Sequence, residues 1–404
     1  MSNVIIIGAG PAGMMAAMTA ALEGHKCTLL DGNERIGKKL FITGKGRCNV
    51  TNAKDISEFF DYIPGNPHFL YSALYSYTNE DTMNFFESKG IKLKVERGDR
   101  VFPASDKSSD IIRGLEMGLK ENNVKVLLKH KVTDIICEDK MIKEIIVNGS
   151  KRMKADYFII ATGGASYPLT GSKGEGQRFA KKAGHKIIPL KPSLVPIEIE
   201  EEWVKNIKGL TLRNVSVNIK DGKKSLYKKQ GEMKFMSYGV TGPIILSGSR
   251  FVKDKKYTMT IDLKPALEIK ELDKRVQKDF QKYLNKEFKN SLNELLPRDL
   301  IPIIIELSGI KEDKKVNEIT KEERRRLVDT IKGINLTIKG LRPIEEAIVT
   351  SGGVDTLEID PSTMKSKIVN NLSFAGEVID IDAFTGGYNV QVALSTGFIA
   401  GRNI

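Results

Sequence analysis

The chain has 404 residues, 40% hydrophobic and 28% charged, which excludes a disordered polymer and predicts two or three domains in one globular protein. Its formal charge of +13 is concentrated, because residues 205–256 hold 13 Lys and Arg against 3 Asp and Glu. Cys27, Cys48 and Cys137 show no C-x-x-C spacing, which excludes a disulfide framework or thiol relay and fits a reducing cytoplasm.

Residues 3–8 are a short apolar run, followed by glycines and an Ala- and Met-rich stretch that ends near Gly24. With the apolar run 26–30, this predicts strand, turn, helix and strand: a βαβ unit whose parallel sheet is buried on both faces. The start has no basic segment or long apolar core of a signal peptide, and no run approaches the roughly 20 apolar residues of a spanning helix, so no membrane contact is expected. Further strands are expected at 124–128, 144–147 and 155–161, the last entering Thr162, Gly163 and Gly164.

Pro189, Pro192 and Pro196 then mark a change of texture, and alternation at 216–219 and 257–263 predicts an antiparallel sheet or small barrel. Leu272, Val276, Phe280 and Leu284 recur every four residues, on one face of a helix. Pro297 fits the first turn of a second helix, and Thr320 with Glu323 forms a capping box for a third. The expected domains are therefore 1–190 with 351–404, a barrel-like domain at 191–264 with 336–350, and a helical insertion at 265–335. The chain ends in an expected helix at 388–400.

Gly8, Gly10 and Gly13 form a G-x-G-x-x-G directly after a strand, with Pro11 and Ala12 opening the helix. The first glycine permits the tight turn, the second lets the backbone approach a pyrophosphate, and the third allows close packing of helix on strand. Asp31, 18 residues beyond Gly13 at the end of the second strand, is placed to accept hydrogen bonds from ribose hydroxyls. These features predict a bound dinucleotide and leave NAD and FAD open.

Six further segments are more specific: GKKLFITGKGRCNVTN at 37–52, GDRVFP at 98–103, TGSKGEG at 170–176, PSLVP at 192–196, GEVID at 376–380 and TGGYNVQ at 385–391. Together they resemble the bacterial flavoprotein family typified by BaiN, YhiN and aminoacetone oxidase-like proteins. One departure is that residues 235–243 read FMSYGVTGP where the family usually carries a histidine, so no role of that histidine transfers.

The resemblance implies an α/β fold: a Rossmann-type, glutathione-reductase-like FAD-binding domain with an inserted β-barrel-like domain that carries the helical insertion. It implies that both ends of the chain cradle FAD. Lys39, Gly46, Arg47, Cys48 and Asn49 come from the first long segment, Arg47 as a phosphate contact and Cys48 as a small packed side chain. Val132 would meet adenine through its backbone, and Thr162 with Gly163 would bring a second glycine turn. Gly376 and Glu377 would hold the ribityl chain, while Gly387, Asn389 and Val390 would open a helix at the flavin's pyrimidine edge.

For function, the resemblance implies an FAD-dependent oxidoreductase on a small organic substrate. It would reduce an activated C=C bond with NADH or NADPH as transient reductant, since no second G-x-G-x-x-G is present; the alternative is aminoacetone-type amine oxidation by oxygen. Tyr167, Tyr238 and Tyr388 are the candidate proton donors. A third reading, an RNA-binding flavoprotein gripping phosphates through 205–256, has the charge in its favour and the lack of an RNA-binding motif against it, so no nucleic-acid partner is expected. His25, His68, His130 and His185 show no metal-ligand spacing, so no metal is expected.

Overall fold

In the computed structural model, which describes residues 1–253 and 255–404, Val4, Ile5, Ile6 and Ile7 are all buried, as an interior parallel strand requires. Five parallel strands run in the order Leu372–Phe374, Tyr157–Ile160, Asn3–Ile7, Lys26–Leu30 and Lys125–Leu127. The strand nearest the C-terminus thus sits beside one from mid-chain. The first helix, Pro11–Leu22, packs on the last, Tyr388–Arg402, at a seam of small residues. A Cβ on Gly397 would stand 2.3 Å from the Ala12 carbonyl oxygen, and one on Gly401 2.3 Å from that of Ala16. Only glycine allows so close an approach.

The expected strand at 144–147 lies outside this sheet. It is the end of Met141–Val147, in an antiparallel meander with Val132–Glu138 and Lys151–Met153. The cause is local: Asp139 and Lys140 both have positive φ, 49° and 56°, the signature of a two-residue hairpin that joins only antiparallel neighbours. A second small sheet orders Thr51–Asn52, Arg100–Pro103 and Leu93–Glu96.

Contacts divide the chain into one unit of Met1–Ser193 with Ile344–Ile404 and another of Leu194–Pro343. The second holds a closed six-stranded antiparallel barrel in the order Ile197–Ile199, Gly239–Thr241, Lys224–Met236, Thr211–Asp221, Tyr257–Asp262, Ile334–Leu341. Between the last two strands in sequence lie the helices Ile269–Lys282, Ile301–Ser308 and Lys321–Lys332. Their Leu272, Val276, Leu327 and Ile331 share one apolar cluster with Val217, Met259 and Leu336 of the barrel. The helical segment therefore has no separate core.

Two details of that segment differ from expectation. Leu284 lies beyond the first helix and is 40% exposed, because the helix closes at Lys282. Pro297 precedes a short 3-10 turn, and Pro302 is the proline in the first turn of Ile301–Ser308. The capping box is as expected: Glu323 N–H donates to Thr320 Oγ1 at 3.2 Å, and Thr320 N–H to Glu323 Oε2 at 2.7 Å. Among the described residues no helix is long and apolar enough to cross a membrane.

Candidate functional site

The glycine loop shows its division of labour in space. Gly8 has φ +107°, and a Cβ there would meet the Ala161 carbonyl oxygen at 2.5 Å. A Cβ on Gly13 would lie 1.9 Å from the Gly8 carbonyl oxygen, so helix and loop touch there. Gly10 is the opposite case: nothing stands within 4 Å of its Cβ direction, and as N-cap of the first helix it offers no side chain to the free N–H groups. A dipole end with open space in front of it is an anion site.

Asp31 orients this loop. Its Oδ2 accepts the Ala9 N–H at 2.8 Å, and its Oδ1 accepts the N–H and Nδ2 of Asn33 at 2.8 and 2.9 Å. Three of roughly four acceptor positions are taken, which leaves room for a ribose hydroxyl. Asn49 Oδ1 and Thr162 Oγ1, both expected at the cofactor, are buried without a hydrogen-bond partner among the described residues. Tyr77, Thr82, Gln177 and Tyr227 also keep one such atom each, but Asn49 and Thr162 lie in segments expected at the cofactor, where a polar ligand would satisfy them. The residues present therefore fit FAD.

Glu377 is a junction. Its carboxylate receives Lys39 Nζ at 2.7 Å, the Thr350 N–H at 2.7 Å and Ser166 Oγ at 3.2 Å. Thr350 Oγ1 in turn accepts the N–H groups of Ala165 and Ser166, at 2.8 and 3.0 Å. Ser166 and Thr350 were not anticipated from the sequence; the available signal was a hydroxyl residue two positions from each glycine pair, Gly163-Gly164 and Gly352-Gly353. The C-terminal segment is locked similarly. Thr51 Oγ1 donates to Gln391 Oε1 at 2.7 Å, and Asn52 Nδ2 donates to the Gly386 carbonyl at 3.1 Å. Gly387, at φ +98°, caps the last helix with its Cβ direction blocked 2.2 Å away by the Thr51 carbonyl oxygen.

Several expected contacts have other work. Arg47 places its guanidinium on Glu96 at 2.8 and 3.2 Å and on Asp106 at 3.0 Å, over the Phe102 ring, so its donor fork is occupied by carboxylates rather than aimed at a phosphate. Arg47→Ala is accordingly expected to lower the melting temperature by about 2 °C and leave FAD affinity within about threefold of wild type. A tenfold loss of FAD in a titration would return Arg47 to the phosphate. Asn389 bonds Ala383 at N and O, at 2.9 and 2.7 Å, so its amide closes the preceding loop. Val390 packs on the apolar core of the first unit.

Cys48 is fully buried, and burial pushes its thiol up to about 12, so it is inert as a nucleophile. Val132 is a buried residue opening its strand, Pro11 and Ala12 begin the first helix, Gly46 has nothing within 4 Å of its Cβ direction, and Gly163 has Glu377 Oε2 there at 4.0 Å. Gly376 reaches Thr396, whose Oγ1 accepts its N–H at 3.0 Å. Of the tyrosines, Tyr388 is buried, stacked on Tyr62 with ring centroids 4.4 Å apart. Tyr238 belongs to the second unit, under the Arg342 guanidinium at 4.6 Å. Tyr167 is half-buried in the first unit, its phenol raised above the ordinary value by burial and by the charge of Glu346.

Residues 2–403 match the family model described as HI0933-like protein Rossmann domain. The chain is 31% identical over 410 residues to a 3-dehydro-bile acid delta(4,6)-reductase of Clostridium scindens, covering 100% of this chain and 98% of that protein. It is 32% identical over 407 residues to a ribosomal RNA dihydrouridine synthase of Haemophilus influenzae, again over 100% and 98%. Among solved structures, 3-ketosteroid delta1-dehydrogenase of Sterolibacterium denitrificans superimposes with a TM-score of 0.53 at 12% identity, covering 99% of this chain and 98% of that one. The last likeness is one of fold.

Proposed function

Because the chain belongs to the HI0933-like family of FAD-dependent oxidoreductases, we propose that it reduces a carbon–carbon double bond conjugated to a carbonyl, at the expense of NADH or NADPH. One observation carries this reading: relatives matched from end to end carry names that denote the same outcome on different molecules. A delta(4,6)-reductase and a dihydrouridine synthase both add hydrogen across a ring double bond. Bound FAD supplies the two-electron chemistry.

The chain's own residues bind, orient and hold protons. The open N-terminus at Gly10 takes the pyrophosphate, Asp31 a ribose hydroxyl, and Asn49 and Thr162 the remaining polar edge of the cofactor. The N-terminal end of the helix Tyr388–Arg402, capped by Gly387 without a side chain, would offer the flavin N–H groups that favour negative charge. Tyr167, half-buried in the first unit with its phenol raised above the ordinary value by burial and by Glu346, would be the residue to hold a proton for the reduced carbon.

Mixed without oxygen, the purified yellow protein is expected to bleach with NADH or NADPH and to recover its colour on addition of cyclohexenone. Bleaching by aminoacetone, with no recovery on the enone, would overturn the reading in favour of amine oxidation.

A further inference from the structure

Of the four histidines, His185 alone is buried, with its side chain fully out of solvent. It follows the helix Glu175–Lys182, and a Cβ on the preceding Gly184 would stand 3.7 Å from Ile368, so this turn lies against the segment 355–371. That segment runs from the end of the strand Val349–Val354 to the start of the strand Leu372–Phe374. It therefore joins the strand of Thr350 to the strand that leads to Glu377, the two residues bonded at 2.7 Å in the junction described above.

The donors and acceptors around the ring leave one arrangement. Ser366 Oγ accepts the N–H groups of Ile368 and Val369 at 3.0 and 2.7 Å, which fills both its lone pairs. Its own proton is left for His185 Nε2 at 2.8 Å, so that nitrogen carries no hydrogen. The proton of the neutral ring sits on Nδ1 and goes to Glu358 Oε2 at 3.1 Å, an oxygen that also accepts the Lys186 N–H at 2.8 Å. The order serine, histidine, carboxylate is also that of hydrolytic nucleophiles. Here the hydroxyl has no lone pair left to attack with, so Ser366 clasps the ring instead.

A further proton has no place in this clasp. On Nε2 it would face the Ser366 hydroxyl proton across 2.8 Å, with no lone pair to receive it. Burial accordingly holds the imidazole below its ordinary value, although the Glu358 carboxylate beside it pulls the other way. The other charged groups nearby are engaged elsewhere. Lys186 reaches Asp355, Lys182 reaches Asp134, Lys367 the Leu357 carbonyl, Lys365 the Tyr157 ring and Asp360 the Ser362 N–H, while Lys181 is exposed. From the neighbouring strand the ring meets only Phe374, edge-on at 4.9 Å. Because the folded value lies below the unfolded one of about 6.5, the stability held in the clasp is whole above that pH and is lost as pH falls from there toward the folded value.

We propose that His185, Ser366 and Glu358 form an acid-opened latch, which holds 355–371 shut at neutral pH and frees it, with the Glu377 junction it spans, when the ring takes a further proton. Loosening that junction releases FAD, a consequence that rests on the reading given under Proposed function.

The test uses the FAD-loaded full chain with isotope-labelled histidine nitrogens, where magnetic resonance has only four rings to resolve. His185 is expected as the neutral Nδ1–H tautomer at about pH 7.5 and should titrate below about 6.5. Between about pH 7.5 and about pH 5.5, amide exchange of 355–371, corrected for its intrinsic pH dependence, should speed up at least about tenfold, and loss of FAD with it. His185→Gln keeps a donor and an acceptor but cannot titrate, so both changes should shrink to less than about twofold. Glu358→Gln removes the charge that favours the protonated ring and should move the midpoint of opening to lower pH, which a merely structural contact would not do. An Nε2–H tautomer at neutral pH, titration at or above about 6.5, or acid opening unchanged in His185→Gln overturns the latch. So does an unchanged midpoint in Glu358→Gln, which decides the matter alone if His185→Gln fails to fold. If the segment opens in acid and the flavin stays bound, the link to the cofactor fails and the latch stands. If cyclohexenone fails to reoxidise the flavin while the latch behaves as described, the reduction reading alone fails.

Discussion

Gly10→Val is expected to leave the melting temperature of the cofactor-free protein within a few degrees of wild type and to weaken FAD binding at least about a hundredfold, some 2.7 kcal/mol. Both halves follow from geometry. Gly10 has φ −80° and ψ 179°, which any residue adopts, and nothing stands within 4 Å of the Cβ direction, so the fold loses little beyond a modest N-cap preference. The added side chain would stand at the N-cap of the first helix, where the glycine loop is expected to admit the pyrophosphate. Gly13→Val is the contrast, because its Cβ would overlap the Gly8 carbonyl oxygen at 1.9 Å and damage the fold itself. Thermal melting of the apo proteins, with fluorescence titration of FAD, separates the two. Wild-type FAD affinity in Gly10→Val would remove the loop from the cofactor site.

The second large effect is expected at Glu377. Glu377→Ala removes the carboxylate shared by Lys39 Nζ, Ser166 Oγ and the Thr350 N–H, leaving Lys39 only Ser166 Oγ, Ser166 only a long bond to the Ile348 carbonyl and the Thr350 N–H no acceptor among the described residues. The Lys39 and Glu377 side chains are 29% and 21% exposed, so water screens the pair only in part. The loss should be about 2–3 kcal/mol, read as a fall of about 6 °C in the melting temperature of the apo protein. Adding Lys39→Met should cost little more, because the ammonium then no longer lacks its counter-charge. Additive losses in this double-mutant cycle would show that the two side chains are not coupled. If the loops it ties, Gly163-Gly164 and Thr350, frame the cofactor as proposed, the FAD-loaded protein should also lose its colour in Glu377→Ala.

What was legible in the sequence is what neighbouring residues decide between themselves. The apolar run 3–8, the glycine spacing, the capping box at Thr320 and the four-residue repeat at Leu272, Val276 and Phe280 all act within a turn or two of backbone. Those elements lie where periodicity and capping put them. The hairpin at Asp139 and Lys140 was missed although its cause is local, since neither residue is a glycine or asparagine that advertises positive φ.

The side-chain economy of the site was not legible. Lys39 meets Glu377 across 338 residues, and Thr51 meets Gln391 across 340. No spacing rule reaches that far, so a polar residue in a motif could equally bind the cofactor or bind the loop that binds it. Arg47 and Asn389 are of the second kind, spent on Glu96 and on Ala383. Asn49 and Thr162 each keep a buried oxygen with no protein partner among the described residues, free for a ligand. The sequence by itself determined that this protein has a dinucleotide loop and a parallel sheet to carry it, because those depend on backbone sterics and burial within single elements. Only the tertiary structure decided which polar groups remain for a ligand, because a hydrogen bond is assigned to whichever partner the closed chain brings within 3 Å or so.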